Sequence, residues 1–255
     1  MTSDRVLQVS VSRGVATLTL DSPGNRNALS RAMRAQLRAA LEEALADDAV
    51  RVVVLDHTGR VFCSGMDLSE ASGGSSEDQG VREFPQLLSL VWSAPKPVVA
   101  VVRGPARAGG VGLLAACDVV VAASSATFAF SEVRLGLVPA VISAVVLPRM
   151  TTHVAHRLAL TGEVFDADTA AAGGLVDLVA ADDEVGAVLA GQLTALAAGA
   201  PEALAATKRL LRARQPQLAF DELLDLSARF FAGEEGQEGI AAFREKRPAR
   251  WVPTD

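Results

Sequence analysis

Two glycine-containing stretches decide the interpretation of this chain: Phe62-Cys63-Ser64-Gly65-Met66-Asp67-Leu68 and Ala108-Gly109-Gly110-Val111-Gly112. Each comes after an apolar, β-branched run, and the second opens a short apolar helix predicted near 109–116. Glycine lets a ligand approach the main chain because no Cβ intrudes. Backbone amides at a helix N-terminus supply both hydrogen-bond donors and a favourable dipole. The two stretches therefore predict a pair of N–H groups that hold a developing oxyanion.

The same glycines allow a second interpretation, a dinucleotide-binding loop. Gly110-Val111-Gly112-Leu113-Leu114-Ala115 formally matches GxGxxG/A. In that fingerprint the first glycine directly follows a strand, and an acidic residue stands about 20 positions further on. Here residues 103–109 intervene and Asp118 comes too early, so the context argues against a dinucleotide. A close helix–sheet contact that needs glycine remains the structural alternative.

Composition and charge restrict the class of protein. The chain has 255 residues, of which 50% are hydrophobic and 21% charged, and its net charge is −6. An acidic chain of this kind is not expected to bind nucleic acid, which needs a basic face. Cys63 and Cys117 lack metal-site or disulfide spacing, so both are predicted to be packing residues and no metal is expected. No signal peptide or membrane-length apolar run is recognised, which predicts a cytoplasmic protein without a membrane partner.

Hydrophobic periodicity predicts alternating strands and helices in the first half of the chain and a helical remainder. A hairpin is expected over 6–20, a helix over 30–46 with Ser30 as N-cap, and strands at 51–56, 97–102, 119–122 and 127–130. Residues 69–80 are predicted to form a surface loop. From about residue 153 the chain is expected to be helical, with Asp182 capping one helix and an apolar stripe near 220–231 in another.

In order along the chain, several motifs resemble those of the crotonase, or enoyl-CoA hydratase/isomerase, superfamily. They run from Asp21-Ser22-Pro23-Gly24-Asn25-Arg26-Asn27-Ala28-Leu29 through 61–68, 106–118 and 130–139 to the ending at 234–247. The resemblance implies an α/β fold, the ClpP/crotonase spiral of ββα turns, with a core domain at 1–195 and a helical trimerisation region at 196–255. It also implies a homotrimer or dimer of trimers. The substrate would be an acyl-CoA thioester, with no separate cofactor because coenzyme A is part of that substrate.

The resemblance also implies roles for individual residues. The Met66 and Gly109 amides would form the oxyanion hole around the thioester carbonyl, and Glu132 would be the catalytic carboxylate. Substrate-binding positions would be Arg26, Ala28, Ser64, Asp67, Leu68 and Gly110. For Arg26 the alternative is a solvated loop cation, for Asp67 a turn cap, and for Glu132 a surface or paired structural glutamate. His57, His153 and His156 match no catalytic position of the family, and surface or packing roles are predicted for them.

This sequence departs from the family pattern at Gly112, where a first catalytic carboxylate is expected, and at Pro139-Ala140-Val141-Ile142-Ser143, which replaces a glycine-rich segment. Family hydratases divide proton delivery and water activation between two glutamates. Three functions therefore stay open. The first is an enoyl-CoA hydratase in which Glu132 serves both purposes. The others are an enoyl-CoA isomerase or other enolate-forming lyase, and a CoA-ester binding protein with weak or no catalysis.

Overall fold

A computed structural model describes residues 5–71, 83–213 and 233–252. Within these ranges the strands are β1 Leu7–Ser12, β2 Val15–Leu20, β3 Val52–His57, β4 Val98–Val102, β5 Ala106–Arg107, β6 Val119–Ala123, β7 Thr127–Ala129, β8 Phe165–Asp166 and β9 Leu178–Ala180. The α-helices are α1 Arg31–Ala46, α2 Glu83–Ser93, α3 Gly109–Ala116, α4 Ala140–Arg149, α5 Thr152–Thr161, α6 Ala167–Ala172, α7 Val185–Ala197, α8 Pro201–Arg212 and α9 Glu234–Glu245. Short 3-10 turns occur at Pro23–Asn25, Leu68–Ala71 and Glu132–Leu135.

The first half of the chain folds as its periodicity predicts. β1 and β2 form an antiparallel hairpin, and the Ser30 hydroxyl accepts a hydrogen bond from Met33 N (3.2 Å) as the N-cap of α1. The predicted strands correspond to β3, β4, β6 and β7, and the short apolar helix is α3. Patterning is reliable here because each element buries a single face or lies wholly inside the core.

A six-stranded sheet organises the core, in the order β1-β2-β3-β4-β6-β9, with every pair after the first hairpin parallel. The central strands are almost entirely apolar because both faces of the sheet are covered. On one face Val53 and Ala100 belong to the cluster that α1, α2 and α3 complete. On the other, Val54 and Val101 pack against α7. A smaller sheet has the order β5-β7-β8.

Successive turns of the chain are stacked through the smaller sheet. Cys63 forms a parallel bridge with Ala106, and Ala106 pairs in parallel with Phe128. Each of these residues comes after a strand of the large sheet (β3, β4 and β6) and shortly before a helical turn. The backbone thus repeats a strand–strand–helix unit, although no sequence repeat is evident. Loops that follow Cys63, Ala106 and Phe128 consequently occupy equivalent places in the spiral.

Beyond residue 139 the sequence predictions need two corrections. Helical structure begins with α4, before residue 153. It is interrupted by two short strands: β8 pairs with β7 in the smaller sheet, and β9 pairs with β6 in the larger sheet. Asp182 is not the cap of α7: its Oδ1 accepts from Ser125 N (3.2 Å), and Glu184 precedes the helix without a side-chain cap. Residues 68–71 of the predicted loop form a 3-10 turn, whereas 72–80 and the stripe at 220–231 lie outside the described residues.

Helix α8 is tied to the core by ion pairs. Asp118, which follows α3, accepts from Lys208 Nζ (2.6 Å) and Arg212 Nη2 (2.7 Å). Arg51, before β3, donates to the Gly199 carbonyl (2.7 Å). Among the described helices, none is by itself long and apolar enough to cross a membrane; α7 and α8 meet the length and composition test only as a pair, bent by 106°.

Candidate active site

Two backbone amides, those of Met66 and Gly109, are left without a protein acceptor among the residues that the structure describes. Met66 lies in the loop between Cys63 and the 3-10 turn, and Gly109 is the first residue of α3. Amides in the first turn of a helix have no intrahelical partner and carry its positive dipole end. Both predicted oxyanion donors are therefore free to bind an acceptor from outside the chain.

The direction of each amide is fixed by the carbonyl of the same peptide group. Gly65 O accepts from Leu29 N (2.8 Å), and the Gly65–Met66 peptide carries the Met66 N–H. Likewise Ala108 O accepts from Gly112 N (3.1 Å), and the next amide is that of Gly109. Because a peptide group is planar and the described chain has no cis bonds, anchoring the carbonyl orients the N–H in the opposite direction.

The two amide-bearing loops lie side by side. A β-carbon built on Gly65 would be 3.4 Å from Gly109 N and 3.1 Å from the Ala108 β-carbon. Gly65 has φ +93°, which glycine adopts without strain. Ala108 has φ 46°, a conformation that a residue with a β-carbon rarely adopts. Such strain is tolerated where the surrounding structure demands it, and here it turns the chain into α3 at the Gly109 amide.

Glu132 begins the 3-10 turn that follows Phe128, in the third stacked turn of the spiral. Each candidate residue comes shortly after a residue of the backbone-paired stack. Met66 is three positions after Cys63, Gly109 is three after Ala106, and Glu132 is four after Phe128. The three candidates therefore lie at the same end of the stack. The Glu132 side chain is only 9% exposed, its Oε2 has no hydrogen-bond partner, and no described cation pairs with it. Burial raises its pKa above the usual glutamate value.

Glu132 is therefore neither a surface glutamate nor part of an ion pair within the described chain. A buried carboxylate with an unpartnered oxygen costs free energy in the folded protein. Such groups with raised pKa values are common at catalytic sites, where a carboxyl must both accept and release a proton near neutral pH.

Two further predicted residues, Arg26 and Ser64, are joined through their backbones. Ser64 N donates to Arg26 O (3.1 Å), and Arg26 has φ 60° at the end of the Pro23–Asn25 turn. The Arg26 side chain is exposed and has no partner among the described residues, so its cation is available to an anionic ligand. Ala28 is buried two residues later.

Asp67 does cap a turn. Its Oδ1 accepts from Ser69 N (3.0 Å) and Ser69 Oγ (2.6 Å), and its Oδ2 accepts from Asn25 Nδ2 (3.3 Å). The hydrogen bond from the Ser69 hydroxyl is the main reason that the pKa of Asp67 is lowered. Leu68 is the first residue of that turn. Asp67 thus links the 22–27 loop to the Met66 loop.

Gly110 is required by close packing. A β-carbon there would be 2.7 Å from the Cys63 carbonyl oxygen and 2.8 Å from the Cys63 β-carbon. Gly112, two residues further along α3, has a similar neighbour in Ile142 of α4: an added β-carbon would be 2.3 Å from the Ile142 Cγ2 methyl. Ile142 therefore occupies the space into which a larger residue at 112 would project.

Two residues of this region carry contacts that the sequence did not reveal. Asn27 is fully buried; its Nδ2 donates to Thr58 O (2.9 Å) and Val61 O (2.8 Å), and its Oδ1 accepts from Ser22 N (2.7 Å). A residue at φ 52° is often Asn, which is the signal that could have identified it. Arg34 is buried on α1 beside the Met66 loop, and no sequence signal distinguished it from the other arginines of that helix.

The remaining candidates have structural roles. Cys63 and Cys117 are buried, which raises the pKa of each thiol to about 12. His57 is buried, and its Nε2 accepts from Arg103 N (3.0 Å). Within the described ranges, no group of three His, Cys, Asp or Glu side chains is placed to hold a metal ion.

Comparison with known proteins gives one consistent result. A sequence profile described as Enoyl-CoA hydratase/isomerase matches residues 10–253. "Enoyl-CoA hydratase ACTT6" of Alternaria alternata is 34% identical, with 91% of this chain and 78% of that protein covered. "1,2-epoxyphenylacetyl-CoA isomerase" of Escherichia coli is also 34% identical, over 95% of this chain and 96% of its own. The crystal structure of an enoyl-CoA hydratase from Mycobacterium smegmatis superimposes with a TM-score of 0.90 at 31% identity, covering 97% and 99% of the two chains.

Proposed function

The chain belongs to the enoyl-CoA hydratase/isomerase family and has its crotonase-type α/β fold, and from that premise we propose that it adds water to the double bond of a 2-enoyl-CoA thioester. Members of this family process acyl-CoA thioesters, so the chain is an enzyme of that class. The hydratase assignment is the finer step, and it is supported by the similarity to named hydratases and by the arrangement of Met66, Gly109 and Glu132.

The proposal depends on one observation: the buried Glu132 carboxylate has an oxygen without a partner, and it lies in the same stack of turns as the Met66 and Gly109 amides, which have no acceptor among the described residues. In hydration, the Met66 and Gly109 amides would donate to the thioester oxygen as it gains charge, an interaction that strengthens in the transition state. The exposed Arg26 side chain, which has no partner among the described residues, would border the coenzyme A portion of the substrate. The adjoining loop would border it too, through Ser64, Asp67 and Leu68. Ala28 and Gly110 would line the same part of the site.

One carboxylate suffices for the proton balance of hydration. Glu132 takes a proton from water while the water oxygen bonds to C3, and the C2–C3 π electrons move to form the enolate. The protonated Glu132 then returns that proton to C2, the enolate collapses to the thioester, and the carboxylate is regenerated. Burial raises the pKa of Glu132, which suits this double use because a carboxylate with a raised pKa is a stronger base toward water.

Replacement of Glu132 tests the proposal. Glu132→Gln is expected to abolish hydration of a 2-enoyl-CoA while the dissociation constant for a saturated acyl-CoA stays within about threefold of wild type. Glu42→Gln, on the exposed face of α1 where Glu42 pairs with Arg38, serves as the matched carboxylate control and should keep turnover. Full hydratase activity in Glu132→Gln would refute the assignment.

A second candidate, isomerisation of a 3-enoyl-CoA, is favoured by the contact between Gly112 and Ile142. That contact fills the region next to α3 with a hydrocarbon where a second carboxylate would otherwise stand. Glu132 alone could remove a proton from C2 and deliver it to C4 through a dienolate, with no water consumed. One relative, from Escherichia coli, is named as an isomerase.

Mass measurement separates the two reactions. Incubation of 2-enoyl-CoA in ¹⁸O-water gives a product heavier by one labelled water if the enzyme is a hydratase. Incubation of 3-enoyl-CoA in deuterated water gives an unsaturated product of unchanged formula, apart from exchanged hydrogen, if it is an isomerase. Conversion of the 3-enoyl thioester alone would replace the first assignment by the second.

The assembly proposed for the chain is a homotrimer or a dimer of trimers in the cytoplasm. Support comes from large apolar side chains left exposed after Glu132 and around α5, namely Leu135, Leu137, Val138, Leu160 and Val164. Exposed apolar groups in one region are typical of an interface between copies. Sedimentation equilibrium would give the mass; a monomer at micromolar concentration would contradict the proposal.

A further inference from the structure

We propose that Arg34 is a positioning residue for the Met66 amide and acts through Leu29. The inference rests on the proposed function, because it concerns how one of the two oxyanion donors is held. Arg34 lies in the first turns of α1 with 3% of its surface exposed, so its guanidinium is buried although it carries a full charge. A buried cation must be hydrogen-bonded and paired to be tolerated, and its partners indicate its purpose.

The partners of Arg34 all lie at the edge of the candidate site. Nη1 donates to the Leu29 carbonyl at 2.6 Å. Nε and Nη2 both donate to Glu83 Oε2 at 3.2 Å, at the start of α2. Nη1 is also 3.8 Å from Oε2 of Glu70, in the 3-10 turn after Met66. The rigid, planar guanidinium therefore binds three separate segments at once, which a point charge could not do.

Leu29 connects this cluster to both oxyanion donors. Its N–H donates to Gly65 O, the carbonyl of the peptide that carries the Met66 amide, and Leu29 and Met66 form a parallel β-bridge. Its Cδ1 methyl would be 3.2 Å from a β-carbon on Gly109. Arg34 fixes the Leu29 carbonyl, Leu29 fixes the Gly65 carbonyl, and the planar peptide then fixes the direction of the Met66 N–H.

Glu70, which follows Met66 in the chain, also holds the Met66 loop against the start of α1. Its two carboxylate oxygens accept from Arg31 N at 3.0 and 2.9 Å, which places a negative group at the N-terminus of α1. Gly65, before Met66, is thus held to Leu29 just ahead of α1, and Glu70, after Met66, is held to the first residue of α1. Loss of Arg34 would leave the Leu29 carbonyl without this donor and loosen the loop without removing any group that touches the substrate.

Helix α1 provides a matched control in Arg38, one turn beyond Arg34. Arg38 also pairs with a carboxylate, Glu42 (2.9 Å), and also reaches α2, through Gln86 Oε1 (2.9 Å). It makes no contact with Leu29 or the Met66 loop among the interactions of the described chain. Arg38→Met therefore removes an arginine and its contact between α1 and α2, but it leaves the hydrogen bonds from Arg34 to Leu29 and from Leu29 to Gly65 in place.

The test measures polarisation of the bound thioester. A saturated acyl-CoA labelled with ¹³C at the thioester carbonyl, [1-¹³C]butyryl-CoA, cannot take up water and serves as the probe. Isotope-edited infrared difference spectra give the carbonyl stretch, which moves to lower wavenumber as the oxyanion donors bind. For Arg34→Met we expect at least half of that displacement to be lost. We also expect kcat for hydration to fall about 10- to 100-fold, with KM within about threefold.

The outcomes are distinct. Wild-type displacement and wild-type kcat in a folded Arg34→Met variant would overturn this inference and leave the proposed function standing. No displacement in the wild-type protein would overturn both. If Arg34→Met does not fold, Arg34→Lys decides: it retains the charge but cannot hold Leu29 and Glu83 together, so partial displacement supports the proposal and full displacement overturns it. Arg38→Met should match the wild type in each measurement.

Discussion

Gly112 on α3 and Ile142 on α4 fit together so closely that a side chain cannot be added at Gly112 unless Ile142 moves. A β-carbon on Gly112 would stand 2.3 Å from Cγ2 and 2.8 Å from Cβ of Ile142, well inside van der Waals contact. The Ile142 side chain thus occupies the space into which a side chain at position 112 would project. The two segments in which the sequence departs from the family pattern are therefore in direct contact.

The first prediction concerns stability at this contact. Gly112→Ala is expected to lower the free energy of unfolding by about 1–3 kcal/mol because the new methyl overlaps Ile142. Ile142→Ala should cost about 2–5 kcal/mol through the cavity it leaves. In the double variant the methyl enters that cavity, so the combined loss should be smaller than the sum by at least about 1 kcal/mol. Urea unfolding of the four proteins measures this coupling; strict additivity would contradict it.

The second prediction concerns chemistry at the same place. Gly112→Glu combined with Ile142→Ala returns a carboxylate to α3, one turn from the Gly109 amide, and gives it room. If hydration is limited by the single glutamate, the double variant should hydrate 2-enoyl-CoA about tenfold faster than Ile142→Ala alone, since a positioned acid or base contributes 10²- to 10⁴-fold. Gly112→Gln with Ile142→Ala is the isosteric control. Equal rates for the Glu and Gln variants would show that position 112 no longer reaches the reaction.

The third prediction is the pH dependence of turnover. Glu132 must be ionised to accept a proton from water, and burial raises its pKa above the usual 4.5. As the pH falls, kcat/KM should therefore decline through a pKa higher than 4.5. Asp67 has a lowered pKa and remains ionised through this range. Asp67→Asn should leave the acid limb of the pH–rate profile in place, and a limb at or below pH 4.5 would argue against Glu132 as the base.

The fourth prediction is the pH dependence of stability. The folded protein binds a proton on Glu132 more tightly than the unfolded chain, so this group makes unfolding easier as the pH rises above 4.5 through the raised pKa. Glu132→Gln removes the penalty. At neutral pH it should be more stable than the wild type by about 1 kcal/mol, or about 2–4 °C in Tm. The gain should vanish below pH 4.5; calorimetric scans at several pH values test the trend.

The fifth prediction concerns the spacing of the two amides. Gly65→Ala forces a β-carbon to within 3.1 Å of the Ala108 β-carbon at φ +93°. The Met66 and Gly109 loops should move apart, and kcat should fall about 10²-fold, the effect of losing one oxyanion donor. Gly174→Ala is the control, because it is strained at φ +84° and meets Arg149 O at 2.9 Å, away from these loops. It should lower stability yet leave kcat unchanged; equal loss of kcat in both would indicate general destabilisation.

Several features of the fold and site were accessible to sequence reasoning because they depend on local pattern. The hairpin, α1 with its Ser30 cap, and the valine-rich strands β3 and β4 follow from periodicity and capping. The tail was harder to predict. β9 has only three residues and becomes a strand because the edge of β6 is available to it, which no local pattern encodes.

The contacts that hold the site together were not accessible from the sequence. Arg34 and Arg38 look alike in a helical pattern, yet only Arg34 is buried and bound to Leu29. The sequence allowed two roles for Asp67, a turn cap or a substrate-binding residue. The structure shows that its carboxylate accepts hydrogen bonds from Ser69 and Asn25.

The sequence by itself determined the candidates for the chemistry: glycine-flanked amides at Met66 and Gly109, one glutamate at Glu132, and a glycine at 112 where the family resemblance leads one to expect a second carboxylate. Only the tertiary structure decided where these residues lie relative to one another and how deeply they are buried. It stacks Cys63, Ala106 and Phe128 through backbone pairing, which places the three loops at one end of the spiral. It also buries Glu132 and sets Ile142 against Gly112. Burial and distance between remote segments come from packing, and a linear pattern does not contain them.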